Sequence, residues 1–173
     1  MRAAAFWKAV TADRANLLER FFETLRRHHV PFCLIGGQAL NAYVEPVVSL
    51  DLDVVVATDR IAEVETLLAG LFTLERFPHS LNVSDDDSNL RIQIRLDPRY
   101  ASFVDRAVTH SVLGIDLPVA AVDDILCGKI WAAQDDTRRG SKRQKDLADI
   151  ARVLERYPEL RSSVPADVLS RLV

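Results

Sequence analysis

The sequence is poor in residues that make covalent or metal cross-links, with two cysteines and four histidines in 173 residues. Cys33 and Cys127 lie far apart in apolar runs, which reads as reduced core thiols and excludes a disulfide-stapled scaffold. His28, His29, His79 and His110 show no metal-ligand spacing, and no serine or cysteine has a recognisable base partner, so hydrolase chemistry has no support. Positive charge is not in excess: the formal net charge is -3, so any contact with nucleic acid must come from a local patch. Apolar runs long enough to span a bilayer are missing, as is a basic-then-apolar leader. The expected setting is therefore the cytoplasm, with no membrane contact. Repeats, low-complexity tracts and linkers are absent as well. With 49% hydrophobic and 27% charged residues, the chain can bury a real core.

Hydrophobic periodicity lays out the elements. From Thr11 to His29, Leu18, Phe21, Phe22 and Leu25 recur at helical spacing, and Thr11 or Asp13 is placed to cap the start. Pro31 breaks that helix before a short buried strand, Phe32 to Ile35. A short helix over Gln38 to Tyr43 and a strand over about Leu50 to Ala57 follow. A helix from roughly Asp59 to Leu71 and a strand from Phe72 to Phe77 come next. Asp85-Asp86-Asp87-Ser88 reads as a loop tip. Leu90 to Asp97 alternates cleanly as a strand closed by Pro98. Tyr100 to Val108 reads as a helical turn or two, and Ser111 to Val119 as a hairpin around Gly114. Helices over Ala121 to Gln134, Lys142 to Arg156 and Pro165 to Leu172 close the chain. The predicted class is α/β (α+β): a small mixed sheet with packed helices, residues 1–120, and a helical part, residues 121–173, packed on it as one compact domain.

Two short stretches carry the chemistry. Gly36-Gly37 stands at a strand-to-helix turn, where glycines permit close backbone approach and backbone N–H groups can face an anion. After thirteen intervening residues comes Asp51-Leu52-Asp53. Side chains alternate along a strand, so Asp51 and Asp53 share a face, with Cα atoms roughly 6.5 Å apart. That spacing suits a hard cation such as Mg²⁺, which takes a few carboxylate oxygens plus substrate phosphate. A solvated strand face is the alternative, but the Val54-Val55-Val56 run suits a strand covered on both sides.

Gly36-Gly37-Gln38-Ala39-Leu40, Ser49-Leu50-Asp51-Leu52-Asp53, Lys129 and Lys142-Arg143-Gln144-Lys145-Asp146-Leu147-Ala148-Asp149-Ile150 together resemble the nucleotidyltransferase superfamily, with the DNA polymerase beta-like fold, in its AbiEii-type toxin branch. The resemblance covers roughly residues 13–156. It implies transfer of a nucleoside monophosphate from an NTP to an acceptor hydroxyl, with Mg²⁺ as cofactor and pyrophosphate released. It further implies action on RNA, notably tRNA ends, and a cognate winged-helix antitoxin. Carried onto this chain, Asp51 and Asp53 are the catalytic and metal residues. Gly36, Gly37, Ser49, Lys129, Lys145 and Asp146 bind nucleotide.

The departures from that pattern are specific. The family usually has Arg four residues before the first acid and Thr two before; Val47 and Ser49 stand there. The third carboxylate position, on the strand Leu90 to Leu96, holds Gln93, a weak Mg²⁺ ligand that cannot take a proton near neutral pH. A degenerate member that binds nucleotide or protein without turnover is therefore the alternative reading. Lys129 interrupts an apolar stripe of Val122, Leu126 and Ala133, so it either snorkels to water or reaches a triphosphate. Lys142, Asp146 and Asp149 share a helix face, which reads as an ordinary i,i+4 pairing, while the resemblance implies instead that Lys145 and Asp146 line the nucleotide pocket. Arg138, Arg139, Lys142, Arg143 and Lys145 form the dense basic patch of an otherwise acidic chain and are the expected RNA contact.

Overall fold

The computed structural model describes residues 16–172 together with Ala5, Ala12 and Asp13. The first helix, α1, runs Leu17–Arg27 and buries Leu17, Leu18, Phe21, Phe22 and Leu25. Asp13 supplies its cap, accepting from the Leu17 backbone N at 2.9 Å. Thr11, the other expected cap, lies outside the described residues. Glu19 in the first turn and Arg26 and Arg27 in the last suit the helix dipole.

A seven-stranded mixed sheet forms the centre, made of β1 (Phe32–Ile35), β2 (Asp51–Val56), β3 (Thr73–Phe77), β4 (Ser80–Ser84), β5 (Arg91–Arg95), β6 (Val108–Val112) and β7 (Ile115–Val119). Their order across the sheet is β3-β4-β5-β2-β1-β7-β6. The central strands are the apolar ones. All of β1 is buried, and β2 buries Leu52, Val54, Val55 and Val56 while its two aspartates stay half-buried. β2 runs antiparallel to β1 and parallel to β5. Parallel strands need a crossover, supplied here by α3 (Ile61–Ala69) and the β3–β4 hairpin.

The β4 strand is absent from the sequence reading, although Leu81 and Val83 alternate with Ser80, Asn82 and Ser84 and are fully buried. Its alternation rests on Leu81 and Val83 alone, between polar turns, which is too little for periodicity to stand out. The hairpin near Gly114 forms as expected, with β6 beginning at Val108 and the turn using positive φ at Leu113 and Gly114. Tyr100 to Val108 resolves into a 3₁₀ segment, Pro98–Arg106, capped by the Asp97 carboxylate accepting from the Arg99 backbone N. A second 3₁₀ segment, Pro158–Ser163, has no counterpart in the sequence reading.

Between β1 and β2 lies α2 (Gly36–Leu40), and the chain closes with α4 (Val122–Gln134), α5 (Gly140–Arg156) and α6 (Ala166–Leu169). Ile125, Leu126, Ile130 and Ala133 of α4 and Leu147, Ile150, Val153 and Leu154 of α5 belong to the same buried cluster as the sheet. Burying each large aliphatic side chain stabilises the fold by roughly 1.5–3 kcal/mol. This packing sets the α4–α5 pair beside the ends of β1 and β2. None of the helices among the described residues is long and apolar enough to cross a membrane.

Candidate active site

The site begins at the junction of β1 and α2. Gly36 adopts φ +72°, a conformation that L side chains rarely take, and a Cβ there would lie 2.5 Å from Asp53 Oδ2. Glycine is therefore required by backbone shape and by the approach of the acid. Gly37 differs, because a Cβ there would meet nothing within 4 Å. Gln38, 1% exposed, turns inward and donates to the Ser49 carbonyl at 2.9 Å. Asn41 holds the same loop from the other side, donating to the Val47 carbonyl and accepting from the Val47 N, each at 2.9 Å. Ser49 Oγ accepts from the Asp51 backbone N at 3.3 Å. The segment joining α2 to β2 is thus tethered, and this sets where Asp51 enters the sheet.

Register decides what stands beside the acids. Asp53 is opposite Ile35 on β1 and opposite Gln93 on β5, while Asp51 is opposite Arg91. Gln93 therefore occupies the strand position next to Asp53. Arginines engage both acids. Arg95 contacts Asp53 Oδ1 through its Nη2 at 2.9 Å and its Nε at 3.1 Å. Arg91 Nε lies 3.2 Å from Asp51 Oδ1. The Arg95 guanidinium is held above its ordinary pKa, chiefly by Asp53, against an opposing effect of burial. Asp51 Oδ1 is buried yet has no hydrogen-bond partner, since Arg91 is near but misaligned.

Lys129 of α4 is almost fully buried and lies between two aspartates of α5, 3.1 Å from Asp146 Oδ1 and 2.8 Å from Asp149 Oδ2. Each aspartate has a second cation: Arg138 donates to Asp146 at 2.7 Å and Arg152 to Asp149 at 2.9 Å. Burial alone pulls the Lys129 pKa down, but Asp149 and Asp146 outweigh it and hold the ammonium above its ordinary value. Asp146 takes Lys129 and Arg138 as partners in this inter-helix network, so the i,i+4 pairing with Lys142, one of the two readings of that helix face, does not form. A buried lysine finds stronger partners across the helix pair than an exposed lysine does one turn away.

A cavity of about 500 Å³ joins the two halves. Gly36, Asp53, Lys129 and Asp146 line it, as do Arg95, Asp97 and Arg138. Asp97, separated from Gln93 along an extended strand, reaches the cavity because the chain turns into the 3₁₀ segment at Pro98. Asp51, Gly37, Ser49 and Gln93 stand beside the cavity wall without lining it. Lys145 is exposed on the outer side of α5 and is not part of the lining. The basic patch divides: Arg138 turns inward to Asp146, Arg143 lies 3.6 Å from Asp136, and Arg139 and Lys142 remain exposed. The inward turn of Arg95 and Arg138 and the aromatic lining from Tyr100, Phe103 and Trp131 were missed in the sequence. Their signal was weak, because arginines on an alternating strand and aromatics on a short helical segment also occur on plain surfaces and in plain cores.

Two carboxylates on one strand face fit a divalent cation that completes its shell with substrate phosphate and water, and Asp51 Oδ1, which accepts no hydrogen bond although Arg91 is near, leaves donor capacity for it. Among the described residues no cluster of three or more acids, histidines or cysteines is arranged to enclose a metal unaided.

Comparison with known proteins bears on the fold and the family. The chain resembles in fold the antibiotic-resistance factor ANT(2'')-Ia in complex with adenylyl-2''-tobramycin, at TM-score 0.62 and 15% identity over 90% of this chain and 96% of that one. It also resembles the lincosamide antibiotic adenylyltransferase LnuA, at TM-score 0.54 and 12% identity over 79% and 95% of the respective chains. A putative nucleotidyltransferase from Thermotoga maritima is similar at TM-score 0.51 and 12% identity, over 85% and 93%. No curated protein sequence matches. The family model for the nucleotidyl transferase AbiEii toxin of a type IV toxin–antitoxin system matches residues 17–171, and the chain belongs to that family.

Proposed function

We propose that the chain transfers a nucleoside monophosphate from an NTP to an acceptor hydroxyl. The observation that carries this reading is the close approach of Gly36 to Asp53 at the edge of a cavity also lined by Lys129 and Arg138. A backbone turn with no Cβ, a carboxylate, a buried lysine and a half-buried arginine are what a triphosphate and its counter-ion require. Asp51 and Asp53 would hold Mg²⁺, which when bound neutralises developing charge on the phosphates. Lys129 and Arg138 orient the triphosphate from the helical side, and the open space over Gly37 leaves room for it. The acceptor oxygen attacks the α-phosphorus, the bond to the β-phosphate oxygen breaks, and pyrophosphate leaves. Gln93 can accept a hydrogen bond from the hydroxyl but not its proton, so that proton passes to an Asp53 oxygen or to a phosphate oxygen of the substrate.

RNA, notably a tRNA end, is the acceptor we favour, because Arg139 and Lys142 are exposed for phosphate contact. Membership in a toxin family suggests a cognate antitoxin of winged-helix type as partner. The test incubates the protein with each of four α-labelled NTPs, Mg²⁺ and total tRNA. Label should move to RNA, and Asp51→Ala with Asp53→Ala should abolish it; absence of transfer with any NTP and several acceptors would refute the proposal. Binding without turnover is the second reading, favoured by Gln93 standing directly beside Asp53. Gln93→Asp separates the two: activity that appears only in this variant supports the binding role.

A further inference from the structure

The charged part of the cavity is accounted for by a triphosphate, but its aromatic part is not. Trp131 of α4 is half-buried, stacks on Phe103 with ring centroids 5.8 Å apart at 14°, and meets Tyr100 edge-on at 5.4 Å. All three rings line the same cavity as Asp53 and Lys129. Gly128, one turn before Trp131, is also in the lining, and a Cβ there would stand 3.1 Å from Tyr100 Cε1. The absence of a side chain at Gly128 lets the tyrosine ring lie against the helix. The Arg99 guanidinium sits over the Trp131 ring, 4.6 Å from its centroid. Its charge partner is Asp97, two residues away, and its side chain is 55% exposed. An exposed cation tied to its own neighbour is a cover that can move.

A core does not need this arrangement. Aromatic surface that opens into a polar cavity, with a movable planar cation over it, is the composition of a base-stacking platform, where every nucleobase has a π-face to offer. We propose that Trp131 is the seat of the nucleobase of the bound NTP, with the base inserted between the indole and the Arg99 guanidinium. This rests on the reading of the cavity as an NTP site and adds to it which part of the wall takes the base. Because stacking grows with ring area, purine nucleotides are the favoured class.

Fluorescence tests the assignment directly. The sequence holds two tryptophans, so Trp7→Phe leaves Trp131 as the single reporter. In that background ATP and inorganic tripolyphosphate are titrated separately with Mg²⁺, alongside UTP and a short single-stranded oligonucleotide. ATP should quench Trp131 and bind several-fold tighter than UTP, whereas tripolyphosphate should bind without quenching. Trp131→Ala should weaken ATP binding about fivefold or more and leave tripolyphosphate affinity unchanged. Trp131→Phe keeps an aromatic plane against Phe103 and should retain most of the ATP affinity, and Arg99→Ala, an exposed change, should lose part of it. These two variants report even if Trp131→Ala fails to fold. Equal affinities for ATP and tripolyphosphate, insensitive to Trp131 and Arg99, would overturn the base seat while leaving the triphosphate site standing. Quenching by the oligonucleotide and not by ATP would overturn it in favour of an acceptor base. No binding of either ATP or tripolyphosphate would overturn both readings together.

Discussion

Gly36 and Gly37 are neighbours in sequence with different physical duties. Alanine at Gly36 must adopt φ +72° and place a methyl group 2.5 Å from Asp53 Oδ2. The left-handed backbone alone costs about 1–2 kcal/mol, and displacing the acid by an ångström is enough to cost on the order of 100-fold in rate. Gly36→Ala should therefore lower the melting temperature and reduce transfer at least 100-fold. Gly37→Ala meets open space, so it should keep the stability of the parent and weaken NTP binding alone. Thermal melts with nucleotide titration separate the two. Cys33 offers a pH test at the same scale. Burial, then the charge of Asp124, pushes its thiol from the ordinary 9.0 up to about 12. A raised folded value means its contribution is complete below pH 9.0 and is lost as pH climbs toward 12. The stability advantage of the parent over Cys33→Ala should accordingly be constant up to pH 9 and shrink by about 1 kcal/mol per pH unit above it, measured by urea unfolding. At this scale the sequence was informative where geometry is local. The glycine pair and the shared face of Asp51 and Asp53 follow from spacing of a few residues, whereas Gln93 was singled out through the family resemblance and stands beside Asp53 by strand pairing. Arg91 and Arg95 alternate with Ile92 and Ile94 along β5, but their engagement of the acids depends on the parallel register of β5 with β2, which no local pattern states.

At the scale of elements, α4 and α5 are joined through one buried lysine. Lys129 was visible as a charge interrupting an apolar stripe, but its partners were not, because the Asp146–Asp149 spacing has meaning only once α5 lies against α4. Breaking a buried ion pair from one side leaves uncompensated charge, at a cost of about 3–5 kcal/mol. Here Arg138 and Arg152 keep one partner for each aspartate, so Lys129→Met should cost about 3 kcal/mol, at the lower end, read as a shift in urea midpoint with unchanged slope. The same variant removes a cation from the cavity, and NTP affinity should fall with it. The long helices were legible because their periods extend over many residues, and β5 because Leu90, Ile92, Ile94 and Leu96 carry its alternation past both strand ends. β4, with Leu81 and Val83 as its apolar residues, and the 3₁₀ segment Pro158–Ser163 are fixed by the neighbours they pair with or pack on, so they were not.

The whole molecule sets a mixed sheet behind one cavity and brings the two motifs to its wall. The family match over residues 17–171 and the shared fold with nucleotidyltransferases leave one chemical question at the centre: which phosphorus is attacked. Attack at the α-phosphorus, attack at the γ-phosphorus and hydrolysis distribute the atoms of an NTP differently. Parallel reactions with α-labelled and γ-labelled NTP, Mg²⁺ and RNA acceptor therefore test the account most directly. It predicts α-label on the RNA and γ-label in pyrophosphate, both lost in Asp53→Asn. Recovery of γ-label on the acceptor or as inorganic phosphate, or transfer that survives Asp53→Asn, would contradict it.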